Sequence, residues 1–170
     1  MTAGNTYTFI GATTVATAAS TITFSSIPGT YTDFILTGFA RQNAQLDSPY
    51  VQMNGDTGAN YNENWITGWG TSVAESLYNG TGGLGMGYGG QAYMPWQEFG
   101  ANQIHVMGYS DAAKYKSTTS YGGSANSGSG VEYHSTMWKS IAAITSITCK
   151  MNTGPWVVGS VIALHGILAA

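Results

Sequence analysis

Charge is what this chain has least of. Lysine, arginine, aspartate and glutamate together make up 8% of its 170 residues, about a third of the share usual in soluble proteins. Five basic residues against eight acidic ones leave a net charge of −3, and no basic run breaks the sequence. Without a phosphate-neutralising surface, nucleic acid is not the expected partner. Cysteine is nearly absent too. The one thiol, Cys149, cannot form an internal disulfide and falls on an apolar strand face, which marks it as a buried structural thiol in a chain able to fold in a reducing cytoplasm. The opening MTAGNTYTFI has neither the basic n-region nor the apolar run of a signal peptide. No stretch reaches the ~18 uninterrupted apolar residues of a membrane helix, so no membrane partner is expected. Helical periodicity is missing, and so is any repeat of fixed length, which argues against a propeller or a β-helix.

What the chain does have is 24 glycines, 11 tyrosines and many β-branched residues, with Thr, Ser and Asn at the polar positions. These favour strands and tight turns. A chain with so little charge leans towards assembly, its surface covered by neighbours.

The most strongly patterned stretch is Trp138 to Ile167. Ile141, Ala143, Thr145, Ile147, Cys149 and Met151 share one face at a period of two. Asn152-Thr153-Gly154-Pro155 supplies turn chemistry. Trp156, Val158, Ile162 and Leu164 then share a face, with Val157, Val161, Ala163 and Ile167 opposite. The pattern predicts two adjacent strands forming a hairpin in the core, because a strand apolar on both faces belongs inside a sheet.

Upstream, strands are predicted over 6–16, around Ile22 and Phe24, and over 31–41, with Ile27-Pro28-Gly29 as a turn between the last two. Tyr50 to Met53 leads into Asn54-Gly55-Asp56, the strongest short hairpin signal, with 63–70 as the returning strand. Residues 71–100 read as irregular. Strands are expected again over 102–109 and 131–138. The polar segment 114–121 suits a sheet edge or outer face, and 122–130 is a flexible loop by composition. Eight to ten short strands without helices predict a single all-β domain over residues 1–170, an antiparallel β-sandwich, with the jelly roll as the best-fitting form.

Little in the sequence points to catalysis. His105, His134 and His165 lie in separate strands with no metal-ligand spacing, and read as unrelated sheet or interface residues. The carboxylates Asp33, Asp47, Asp56, Glu63, Glu75, Glu98, Asp111 and Glu132 are dispersed, whereas a glycosidase needs two held ~5–10 Å apart. Asp56 reads as a turn residue, with calcium binding the lesser alternative. Gly85 to Gly90 fits G-x-G-x-x-G but lacks the flanking strand and helix of a dinucleotide site. Asn79-Gly80-Thr81 fits a glycosylation acceptor, without consequence in the absence of a secretory signal. No catalytic residue, metal or cofactor is expected. The aromatic group Trp65, Trp69, Tyr78, Tyr88, Tyr93, Trp96 and Phe99 admits three readings: a cap on one end of the sandwich, a protein interface, or a carbohydrate platform.

Three segments carry a resemblance. The first runs from Ser25 through Ile27-Pro28-Gly29-Thr30-Tyr31 to Gly38, with Ala40-Arg41. The second is Val51-Gln52-Met53-Asn54-Gly55-Asp56 with Asn60-Tyr61. The third is Trp138-Lys139-Ser140, Ala143-Ile144-Thr145-Ser146-Ile147, Gly159-Ser160 and His165-Gly166-Ile167. Together they resemble a group of small virion proteins of tailed bacteriophages, jelly-roll capsid decoration (cement) proteins or tail-associated structural proteins. Residues 71–100 and 111–135 depart from the pattern. The resemblance implies a non-enzymatic protein made in the host cytoplasm and bound on the outer capsid surface. It would clamp neighbouring major capsid subunits and self-associate as a homo-oligomer, a trimer suiting local three-fold axes better than a dimer. On that reading the aromatics at 65–99 and the loop at 122–130 are the contact segments. Two alternatives belong to other classes: a tail-fibre or tail-tip protein binding host surface glycan, and a jelly-roll carbohydrate-active enzyme.

Overall fold

Apolar and hydroxyl side chains alternating at a period of two build strands, the only long regular elements among the described residues. The computed structural model describes residues 6–41, 49–87, 99–123, 130–151 and 154–168. Twelve strands run through them, more than the eight to ten expected. They are β1 (Tyr7–Thr14), β2 (Thr21–Phe24), β3 (Asp33–Ala40), β4 (Tyr50–Met53), β5 (Tyr61–Trp69), β6 (Ser72–Thr81) and the short β7 (Leu84–Gly85), followed by β8 (Gly100–Met107), β9 (Lys116–Gly123), β10 (Val131–Trp138), β11 (Ile147–Lys150) and β12 (Val161–Ile167).

The strands form two antiparallel sheets. The larger has eight strands in the order β1-β12-β3-β8-β9-β10-β5-β6, the smaller four in the order β2-β11-β4-β7. Their inner faces meet in one buried cluster. Phe34, Leu36, Ile104, Val106, Ile162 and Leu164 come from the large sheet, and Ile22, Val51, Met53, Ile147 and Cys149 from the small one. The chain is an all-β antiparallel sandwich, as its pattern predicts. Complete burial pushes the Cys149 thiol up to about 12, in keeping with a structural role.

The C-terminal stretch is core, but it is not a hairpin. β11 pairs with β2 and β4, whereas β12 pairs with β1 and β3. Between them the chain passes from one sheet to the other, with Trp156 fully buried and bridged to Ala19. Residues 139–146, expected as strand, form a connection in which Ile144 is buried and Ile141 exposed. A similar crossing follows Asn54-Gly55. Both residues have positive φ, 51° and 68°, and the Asp56 N–H closes the turn on the Met53 carbonyl at 2.9 Å. The turn forms as expected, yet β4 and β5 lie in different sheets. β5 returns instead along β6, across Gly70 at φ 56°, so ten residues of strand occupy a stretch expected to be irregular.

β9, expected at an edge or outer face, lies between β8 and β10 inside the large sheet. Its inward positions Lys116, Thr118 and Ser120 are buried although polar. Lys116 Nζ donates to the carbonyls of Asp111, Lys114 and Ile141 at 2.6, 2.7 and 3.2 Å. Three acceptors for three N–H groups make that burial tolerable, although desolvation holds the ammonium below its usual pKa.

The segments that carry the resemblance fasten one another. Asn54 Oδ1 accepts the backbone N–H groups of Thr145 and Ser146 at 2.8 and 3.1 Å, and its Nδ2 donates to the Ala143 carbonyl at 2.8 Å. The Asp56 carboxylate accepts Trp138 Nε1 at 2.7 Å, the Gly58 N–H at 2.8 Å and Asn60 Nδ2 at 3.0 Å. The Trp138 bond is the main reason its pKa is lowered. Tyr61 Oη accepts the Met53 N–H and donates to the Asp56 carbonyl, both at 3.0 Å. Ser160 Oγ accepts the Arg41 N–H at 3.1 Å and donates to the Arg41 carbonyl at 3.2 Å. A Cβ at position 166 would sit 2.4 Å from the Tyr31 ring, so only glycine lets that ring lie on β12. These residues are joints between distant parts of the chain.

Candidate functional site

Strands β5 and β6, joined to the sandwich through β9 and β10, carry the large sheet past the edge of the small one. β7, at that edge, packs over β5 and β10. Beyond it the inward face of the overhang is open, leaving a cleft of about 490 Å³. One wall comes from the small-sheet side, with Tyr50, Gln52 and Gly83. The other comes from the overhang, with Glu63, Trp65, Tyr78, Glu132 and His134.

Strand pairing explains the convergence. Register sets His134 on β10 opposite Trp65 on β5, while Glu63 lies opposite Thr136 and Glu132 opposite Thr67. All of these side chains point inward, since alternate residues share a face. The two glutamates therefore approach His134 from opposite ends. His134 Nδ1 donates to Glu63 Oε1 at 2.6 Å and Nε2 to Glu132 Oε2 at 3.3 Å. Glu63 Oε1 also accepts the Gly85 N–H at 2.9 Å. A Cβ at position 85 would lie 2.4 Å from that oxygen and 2.6 Å from the His134 ring, so a glycine is what brings β7 down onto the group.

Burial alone would push the proton off His134. Hydrogen bonds to Glu132 and Glu63, together with their negative charge, outweigh it and raise the imidazole to about 9. Held at about 9, the ring is an imidazolium at neutral pH, so both nitrogens donate and neither keeps a lone pair for a metal. Among the described residues there is no group of three or more His, Cys, Asp or Glu side chains placed to hold a metal ion. The aromatic wall continues the row: the Trp65 ring is near-parallel to His134 (6.2 Å between centroids, 27°) and to Tyr78 (6.5 Å, 12°).

The opposite face of the same overhang is apolar and uncovered. Tyr133 stands between Ile66 on β5 and Tyr121 on β9, and Val131 is aligned through Gly68 with Val73. These side chains are 47% (Tyr133), 48% (Ile66), 51% (Tyr121), 66% (Val131) and 72% (Val73) exposed. They line a shallow hollow of about 390 Å³.

The aromatic group expected from the sequence is divided by the fold. Trp65 and Tyr78 meet in the cleft, on strands rather than loops. Trp69 ends β5 and is partly exposed. Phe99 stacks on Phe39 at 5.0 Å, with the Arg41 guanidinium over its ring at 5.8 Å. Tyr88, Tyr93 and Trp96 lie outside the described residues, as do Gly89 and Gly90 of the glycine pattern and most of the 122–130 segment. The three histidines stand apart from one another, as expected, but the expectation of dispersed carboxylates fails for Glu63 and Glu132, which converge on His134. His105 Nε2 donates to Asp33 Oδ2 at 2.9 Å, and His165 packs edge-on against Phe9. The missed signal was Glu-x-His in a strand ending at Trp138: period two places Glu132, His134 and Trp138 on one face, and the tryptophan marks that face as inward.

The chain matches no family model, no curated protein and no solved structure. What fold and site define is a β-sandwich whose larger sheet overhangs the smaller, with a polar aromatic cleft beneath and an apolar face above.

Proposed function

We propose that this chain is a non-enzymatic structural protein of a tailed-phage virion, a capsid decoration protein of jelly-roll type. On this reading it binds the outer head surface and clamps major capsid subunits. The observation that carries it is the apolar outer face of the overhang, formed by Ile66, Val73, Tyr121, Val131 and Tyr133. Contiguous exposed apolar surface of this kind marks a contact with another protein. Low charge and abundant tyrosine suit such an interface. The jelly-roll reading is supported by the strand orders β1-β12-β3-β8 and β2-β11-β4-β7, in which the first four strands are answered in reverse by β7, β8, β11 and β12. Self-association is supported by β6, a ten-residue edge strand among the described residues with a single charge, Glu75, to blunt it.

Tyr133→Glu tests this reading. The side chain is exposed and its loss leaves the core untouched, so the variant keeps the wild-type melting temperature within a few degrees. A charge at the centre of the patch lowers occupancy of empty capsid shells at least tenfold, measured by sedimentation of shells with bound protein. Unchanged occupancy removes the patch from the contact.

A second reading, a tail-tip protein contacting host glycan, is favoured by one observation. Trp65 and Tyr78, two of the aromatics for which a carbohydrate platform is one of three readings, face carboxylates in a single cleft.

A further inference from the structure

We propose that the cleft beneath the overhang is a binding site for a neutral saccharide of one or two sugar units, and that it holds the sugar without cleaving it. The inference deepens the glycan-contact reading and is independent of the apolar face on the other side of the sheet.

Three features of the cleft match a sugar. Its volume of about 490 Å³ falls within the range of small-molecule sites, roughly 300–1,000 Å³. Its walls divide between two kinds of surface. The flat rings of Trp65 and Tyr78 suit the C–H face of a pyranose, and the carboxylates with the Gln52 amide suit its hydroxyls. The polar groups are also fixed in advance. Gln52 Nε2 is anchored to the Gly82 carbonyl at 2.7 Å, and both glutamates are tied to His134. Little ordering remains to oppose binding.

Charge narrows the class. Two carboxylates face one imidazolium, and Tyr50 and Tyr78 are the other titratable groups lining the cleft. The pocket therefore repels uronic and sialic acids and accepts neutral sugars.

The same arrangement argues against hydrolysis. A glycosidase needs its two carboxyl groups on either side of the scissile bond, one free to protonate the leaving oxygen and the other to attack or activate water. Here an imidazolium occupies the space between them and both are hydrogen-bonded to it. Neither is available for the chemistry, whereas their outward lone pairs can still accept sugar hydroxyls.

The test is titration of the full chain, by intrinsic tryptophan fluorescence and calorimetry, with maltose, cellobiose, lactose and chitobiose, and with sialyllactose as the anionic control. At least one neutral disaccharide binds saturably with a stoichiometry of one, and sialyllactose at least tenfold more weakly. Tyr78→Ala, at an exposed position, weakens that binding at least tenfold while the melting curve is unchanged. No monosaccharide is released on prolonged incubation with the ligand. Failure of all four neutral sugars, preference for the sialylated one, indifference to Tyr78→Ala, or release of monosaccharide would each overturn the proposal. Shell occupancy measured on Tyr78→Ala separates the two surfaces: retained occupancy leaves assembly standing whatever the sugars do.

Discussion

His134 is where sequence, burial and electrostatics meet most tightly. Its ring is buried between two buried glutamates, and its pKa is raised from 6.5 to about 9 because their hydrogen bonds and charge overcome desolvation. The protonated form is thus favoured more in the folded chain than in the unfolded one. The stabilisation is complete below pH 6.5, amounts to about 3 kcal/mol by linkage, and is lost as pH rises through 9. Melting temperature should stay level with respect to this group up to about pH 7 and decline between pH 7 and 10. His134→Gln should abolish that decline while lowering stability at pH 7, since two buried carboxylates lose their cation. Removing one member of such a group typically costs about 3–5 kcal/mol. A wild-type curve flat to pH 10 would show that the ring is not held as a cation.

Among the elements, the joints between distant segments explain why particular glycines and polar residues stand where they do. At Gly166 the Tyr31 ring leaves no space for a methyl group. Gly166→Ala should therefore destabilise the fold by about 1–3 kcal/mol, measurable as a lowered urea midpoint, and Tyr31→Ala should relieve part of the strain in the double variant. Simple additivity of the two would mean they do not touch. Strand identity was legible wherever side chains alternate: Phe34 and Leu36 in β3, Ile104 and Val106 in β8, Ile162 and Leu164 in β12 all point inward as the pattern requires. Partnership was not legible. Asn54-Gly55 makes its turn, but the strand that follows joins the other sheet, because a turn sets only local direction. The stretch 72–81 carries strand with few apolar alternations because, as an edge of the overhang, it is exposed on both faces over most of its length. The Glu63–His134–Glu132 group was hidden for the same reason: residues 71 positions apart become neighbours only once β5 and β10 pair.

At the scale of the whole molecule, the unequal size of the two sheets creates both surfaces. The large sheet has eight strands and the small one four, so part of the large sheet projects, giving a cleft on its inward side and an apolar face on its outward side. The virion reading assigns the apolar face to assembly, and assembly is what a first experiment should weigh. That experiment is the molar mass of the purified chain by light scattering, alone and mixed with empty phage heads. The account predicts a discrete oligomer, a trimer or dimer, that saturates the heads at a fixed ratio. A monomer that leaves the heads bare would contradict it.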